Sequence, residues 1–242
     1  MPLVAHLREL RNRLLNAIAA VLGVFVCLVM FANPIYEFIS EPLRRYLPEN
    51  ATMIATEVAS PFLTPFKLVL VLSIFIAIPI ILHQAWSFIS PGMYRRERHF
   101  AVPLLVSSIL LFYLGVTFAY FVVFPIVFAF FTGVGPDGVA VMTDINHYLN
   151  FVLKLFFAFG LAFEIPVATV LMVWSGLTSA ERLRKKRAYV IVGCFAVGML
   201  LTPPDVISQT LLALPMWLLF ELGILLASRI VKAGNESGAA TT

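Results

Sequence analysis

Glu164 stands near the middle of a long apolar run, in Phe159-Gly-Leu-Ala-Phe-Glu-Ile-Pro166, with no basic residue three or four positions away. An isolated charge is costly in apolar surroundings. The carboxyl group there is therefore protonated, paired with a polar group on another helix, or turned toward a water-filled concavity. The chemistry on offer is proton carriage, a counter-charge for a cationic ligand, or a structural hydrogen bond between helices. Glu221 lies in a similar run but nearer its basic end, where a side chain reaches a polar interface more easily.

Two further acids sit among arginines. Glu9 is surrounded by Arg8, Arg11 and Arg13, and Glu97 lies in Arg95-Arg-Glu-Arg98. Near Glu9, Leu3, Leu7, Leu10 and Leu14 share one helical face, while His6, Glu9 and Arg13 form a neighbouring stripe. One reading is charge balance through local ion pairs, which contribute little at a surface. The other is an acidic receptor for a guanidinium ligand, because carboxylates accept two parallel hydrogen bonds from that planar group. Spacing alone favours charge balance. Ser208, Gln209 and Thr210 make a polar entry to the last apolar run, suited to helix–helix contacts within the chain or with a partner.

Catalytic patterns are missing. His6, His83, His99 and His147 are scattered and form no ligand pair, and Cys27 and Cys194 lie inside apolar runs as packing residues. There is no phosphate loop, dinucleotide fingerprint or nucleophile elbow. No enzyme activity, cofactor or metal is expected.

The elements that position these groups follow from composition. Of 242 residues, 61% are hydrophobic and 12% charged, whereas a soluble domain is usually about one quarter charged. That excludes an ordinary soluble enzyme and implies an all-α, polytopic membrane protein built as one membrane domain. Six apolar runs predict six transmembrane helices, at about 14–32, 66–89, 100–131, 148–174, 188–201 and 206–227. The third is longer than needed and must tilt, bend or protrude. The fifth covers only about 21 Å of helix, and Thr202-Pro-Pro-Asp205 turns it directly into the sixth. Pro79, Pro103, Pro125, Pro166 and Pro215 are expected to bend helices unless they fall in a first turn.

Positive charge sets the orientation. Arg8, Arg11, Arg13, Arg95, Arg96, Arg98, Arg182, Arg184, Lys185, Lys186, Arg187, Arg229 and Lys232 fall on one side, and only Arg44 and Arg45 on the other. Lys67 and Lys154, in the outer parts of spans, can snorkel outward. Both termini are expected in the cytoplasm. The net charge of +4 then reports topology and lends no support to nucleic-acid binding. Between spans one and two, Asn33–Pro65 is read as an ordered outer cap. A helical stripe through Ile35, Phe38, Ile39, Leu43 and Leu47 is broken at Pro42, and an extended stretch follows at Thr52–Val58.

Five motifs then converge: His6-Leu-Arg-Glu-Leu-Arg-Asn-Arg-Leu14, Ser60-Pro-Phe-Leu-Thr-Pro-Phe-Lys67, Phe88-Ile-Ser-Pro-Gly-Met-Tyr-Arg-Arg-Glu-Arg98, Phe159–Pro166, and Leu201-Thr-Pro-Pro-Asp-Val-Ile-Ser-Gln-Thr-Leu-Leu-Ala-Leu-Pro215. In that order, and with six spans, the chain closely resembles the TatC family, the core subunits of the twin-arginine protein translocase. The resemblance implies a receptor for twin-arginine signal peptides that exports folded proteins across a bacterial inner membrane with the proton-motive force. It places the receptor acids on Glu9 and Glu97, with Phe88, His6 and Arg11 beside them. It places the intramembrane glutamate on Glu164 and contacts to the single-span partners TatA and TatB near Met199, Thr202 and Gln209. Pro42 and Asp205 match outer-face positions. It further implies a multimeric complex in lipid, and a glove-shaped concave bundle whose short fifth and sixth helices thin the bilayer.

Two positions depart from the family pattern. Ser60 stands where many members carry an acid before Pro-Phe, and His99 stands where a basic residue often follows the Glu-Arg pair. The alternative function is a proton-coupled small-solute transporter with Glu164 as the carrier, against which weigh the lack of internal repeats and the single central carboxylate.

Overall fold

The computed structural model describes residues 3–44, 53–89, 98–133, 143–201 and 206–239. The expectations for Glu97, Thr202 and Asp205 fall outside these residues. The described residues are helical throughout apart from turns and an isolated parallel bridge between Ile54 and Asp144. Such a fold suits lipid, which offers backbone groups no hydrogen bonds, so each helix satisfies its own. Many large apolar side chains point outward, among them Leu214, Leu218 and Leu225 on the last helix. A lipid-solvated surface has this character.

Among the described residues, four helical stretches are long and apolar enough to cross a membrane: Leu7–Glu41, Val102–Phe130, Ile145–Trp174 and Gln209–Arg229. A fifth is a pair, Ser60–Ile76 and Ile78–Phe88, bent by 48°. Pro79 sits just past the bend, where it removes a backbone donor. A shorter apolar helix among the described residues, α10, is Arg187–Leu201. Its 15 residues are about 22 Å long, short of a ~30 Å hydrocarbon core, as the sequence leads one to expect.

The helical paths correct several expectations. The first helix does not end near residue 32. α1 (Leu3–Leu28) passes through one 3-10 turn, Val29–Phe31, into α2 (Ala32–Arg44). Pro42 lies inside α2 and does not break it. α3 (Ser60–Ile76) begins six residues before the predicted span and carries proline in its first turn, where no donor is lost. α4 is Ile78–Ile89. The long third run is α5 (Arg98–Phe118), a π-turn at Ala119–Val123, and α6 (Phe124–Gly133). The wide turn directly precedes Pro125, which cannot donate into a regular helix. The fourth run is α7 (Ile145–Ala162) and α8 (Ile165–Trp174), broken at Phe163-Glu164 just before Pro166. α9 (Ala180–Lys185) is capped by Ser179, whose hydroxyl accepts from the Arg182 N–H at 3.2 Å. α11 (Val206–Ala239) runs past the predicted end near 227.

The chain forms two compact units, residues 1–110 with 124–153, and 111–123 with 154–242. In the first, α1 packs on α3 and α4, and α2 on α3 and α6. Its core includes Leu68, Val69, Phe124, Val127, Leu149 and Val152. Tyr148 is buried, and its hydroxyl donates to the Ile39 carbonyl at 2.9 Å, fastening α7 to α2. In the second, α11 packs on α8 and α10. Gly223 makes that approach close: a Cβ there would lie 2.9 Å from Pro166 Cα and 3.0 Å from Thr169 Oγ1. Small residues let backbones approach where the hydrophobic effect between helices is weak.

Candidate functional site

The amphipathic N-terminal segment is one exposed helix that continues into the first span. On it, Arg13 donates to Glu9 Oε1 through Nε at 3.0 Å and through a terminal nitrogen at 2.5 Å. The Glu9 side chain is 38% exposed and that of Arg13 24%. Both donors act on one oxygen, Oε1. Arg11 is exposed and reaches the Asn12 side chain at 3.4 Å. His6 lies in the same helix. Phe88, half-buried, stands at the end of α4. Glu97, the other acid expected to receive the ligand, lies outside the described residues.

Glu164 occupies the break between α7 and α8, with φ −76° and ψ −16°, and Oε1 is shielded from solvent. Beside it, Phe159 and Phe163 pack on Phe118, each with ring centroids 5.6 Å apart. The carboxyl group therefore stands where the helix is interrupted, with one oxygen enclosed by the protein.

On α10 and α11, Met199 is exposed and Gln209 half-buried. A Cβ at Gly198 would lie 3.4 Å from the Gln209 carbonyl, so the two helices touch backbone to backbone at that level. A groove of about 160 Å³ between them is lined by Ile191, Cys194, Phe195, Ala213, Leu214 and Trp217. Trp217 Nε1 and, elsewhere on α11, Glu221 Oε1 are buried without a hydrogen-bond partner among the described residues.

Three contacts go beyond the sequence reading. Arg187 pairs with Glu221 at 2.5 Å, so this arginine is more than a topological anchor. Lys67 donates to the Asn150 side chain. Asp144 gathers four donors: the Thr56 N–H at 2.9 Å, the Thr56 hydroxyl at 2.7 Å, and the N–H groups of Asn146 at 2.9 Å and His147 at 3.0 Å. These bonds hold its carboxyl well below the usual carboxylate range. Asp144 thus caps α7 and clasps the segment before α3. The available signal was an aspartate directly before a helical apolar run.

This architecture defines a multi-pass helical membrane protein with a charged, exposed N-terminal helix and a shielded intramembrane carboxyl. The chain matches the family described as Sec-independent protein translocase protein (TatC) over residues 5–215. It is 65% identical to a TatC from Azotobacter chroococcum mcd 1, covering 95% of this chain and 90% of that one. It is 59% identical to the TatC of Escherichia coli strain K12, covering 97% and 91%. A crystal structure of the twin-arginine translocase receptor TatC superposes with a TM-score of 0.82 at 38% identity, covering 92% of this chain and 98% of that one. The chain belongs to the TatC family of protein-translocase components. That assignment does not favour the solute-transporter alternative.

Proposed function

We propose that this chain is the signal-peptide receptor and organising subunit of a twin-arginine translocase in a bacterial inner membrane, exporting folded proteins at the expense of the proton-motive force. Its membership in the TatC family over residues 5–215 carries this reading. Glu9, part-exposed on an exposed helix, supports it.

Glu9 and Glu97 receive the two arginines of the signal, each carboxylate accepting charge-assisted hydrogen bonds from a guanidinium. His6, Arg11 and Phe88 flank them. The apolar stretch of the signal is received near Glu164, whose carboxyl can hydrogen-bond a polar backbone group or carry a proton. Single-span TatA and TatB helices dock near Met199, Thr202 and Gln209. Pro42 and Asp205 shape the outer end, and the excess of positive charge on one side supports both termini lying in the cytoplasm. The working assembly is multimeric and embedded in lipid. Nothing in this scheme needs a bond-making site on the chain.

Photocrosslinking in membranes tests the reading. A twin-arginine peptide labels the chain and a twin-lysine control does not. Glu97→Lys abolishes the label while membrane insertion persists. Unchanged labelling in that variant would sink the receptor assignment.

A further inference from the structure

α9 and the first turn of α10 gather bases. Arg182, Arg184, Lys185, Lys186 and Arg187 follow almost without interruption, and Glu181 is the only acid between residues 175 and 187. All five bases are exposed. Arg187 is held by Glu221 of α11. The side chains of Arg182, Arg184, Lys185 and Lys186 make no hydrogen bond or ion pair among the described residues.

α9 is not a free arm. Ser179 caps it, Ala180 and Leu183 are half-buried, and it packs on α11 and α10. The backbone stays close to helical into α10. The Lys186 N–H donates to the Leu183 carbonyl at 3.0 Å, and the Val190 N–H to the Lys186 carbonyl at 3.2 Å. Along such a path residues three and four apart share a face. Arg182, Lys185 and Lys186 therefore form one cluster. Tyr189 and Val192 continue the same face, 79% and 68% exposed, about 4.5 Å and 9 Å along the axis from Lys186. Val190 turns the other way, against the core that includes Cys194 and Met216.

The order down this face is cations, then an aromatic ring with a polar tip, then aliphatic surface. Tyrosine favours the headgroup level of a bilayer, so the cluster stands where lipid phosphates lie. Unpaired cations about 5–6 Å apart repel one another, and an anion between them relieves that repulsion. A zwitterionic headgroup brings its own cation into the cluster. An acidic phospholipid brings a net negative phosphate, and its acyl chains pass down beside Tyr189 and Val192. Membrane orientation asks only for positive charge on this side and predicts no such selectivity.

We infer that this face binds an acidic phospholipid from the leaflet at the α9 end of α10, the phosphate accepting from Arg182, Lys185 and Lys186 and an acyl chain lying along Tyr189 and Val192. The inference rests on the chain spanning a membrane and is independent of the receptor role.

The test is native mass spectrometry of the intact, delipidated chain titrated with phosphatidylglycerol and phosphatidylcholine of matched acyl chains. Phosphatidylglycerol should bind more tightly. Lys185→Gln and Lys186→Gln should each weaken it about fivefold, the effect of one base at an anionic lipid surface, and leave phosphatidylcholine unchanged. Lys185→Arg should bind as the unmutated chain does. Arg184→Gln, on the opposite side of α9 from Arg182, should change phosphatidylglycerol binding by less than about twofold. Excess glycerophosphate, which has the phosphate but no acyl chain, should not displace the lipid. In membranes, a photoreactive group introduced at Val192 should label lipid. Equal binding of the two lipids, equal losses in Arg184→Gln and Lys186→Gln, displacement by glycerophosphate, or labelling of a protein helix from position 192 overturns the inference. Twin-arginine peptide crosslinking, a separate readout, would stand in each of those cases.

Discussion

Arg187, the first residue of α10, places its guanidinium 2.5 Å from the carboxylate of Glu221 on α11. At the other end of the same helix pair, Gly198 lies against the Gln209 backbone. The two helices are thus held at one end by close backbone contact and at the other by charge. The Glu221 side chain is only 18% exposed and that of Arg187 48%. Losing the arginine leaves a largely enclosed carboxylate without its counter-charge, and such a loss costs more than an exposed pair contributes. Arg187→Ala should lower stability by about 1–2 kcal/mol, and Glu221→Gln by less. Thermal unfolding of the two single variants and the double variant checks this. Strictly additive effects would exclude the coupling.

The Glu9–Arg13 pair competes with any guanidinium ligand for the same carboxylate. A pair four residues apart on an exposed helix contributes about 0.3–0.5 kcal/mol. Arg13→Ala should therefore tighten twin-arginine peptide binding by about twofold, whereas Glu9→Gln should weaken it. Peptide titration by fluorescence anisotropy separates the two. Weaker binding in Arg13→Ala would assign that arginine a direct role instead.

Two glycines mark helix contacts that tolerate no side chain. A Cβ at Gly115 would stand 2.4 Å from the Phe159 carbonyl oxygen, and one at Gly223 would stand 2.9 Å from Pro166 Cα. The obstructing atoms are backbone, so the helices themselves must move. Gly115→Ala and Gly223→Ala should each destabilise by about 1–3 kcal/mol. A Cβ at Gly193 would meet nothing within 4 Å. Gly193→Ala should leave stability unchanged or raise it by up to about 1 kcal/mol through helix propensity. Thermal midpoints of the three variants in one detergent decide the order.

The Asp144 clasp has a defined acid response. Its folded pKa lies below the ordinary aspartate value of 3.8. The stabilisation is therefore fully present above that value and lost only as pH falls through the lower folded one. Protection of the Ile54 and Ile145 amides, which bond across the clasp to Thr143 and Ile54 carbonyls, should be constant from about pH 7 to about pH 4. Asp144→Asn should reduce it at every pH. Hydrogen exchange with mass-spectrometric detection resolves this, and a loss of protection near pH 6 in the unmutated chain would refute it.

Local signals were legible along the chain. Long, sparsely charged runs revealed the apolar helices, and the 15-residue length of α10 followed from Pro203-Pro204. Glu164 stood out because a lone acid in an apolar run is rare, and the structure sets it at a helix break. The five motifs between residues 6 and 215, taken in order with the six apolar runs, suggested the family, because together they combine residue type, spacing and order.

Only tertiary structure decided the rest. Pro42 looked like a helix breaker, yet α2 continues through it, since proline's local penalty can be offset by packing such as the Tyr148 hydrogen bond to Ile39. Arg187 with Glu221, Lys67 with Asn150 and Thr56 with Asp144 are 34, 83 and 88 residues apart. No periodicity links such pairs. Hydropathy and spacing are properties of one helix, whereas the meeting of two polar groups depends on how helices cross and rotate against each other. In sequence the acids and bases sort by side of the membrane; in the folded chain they sort by partner.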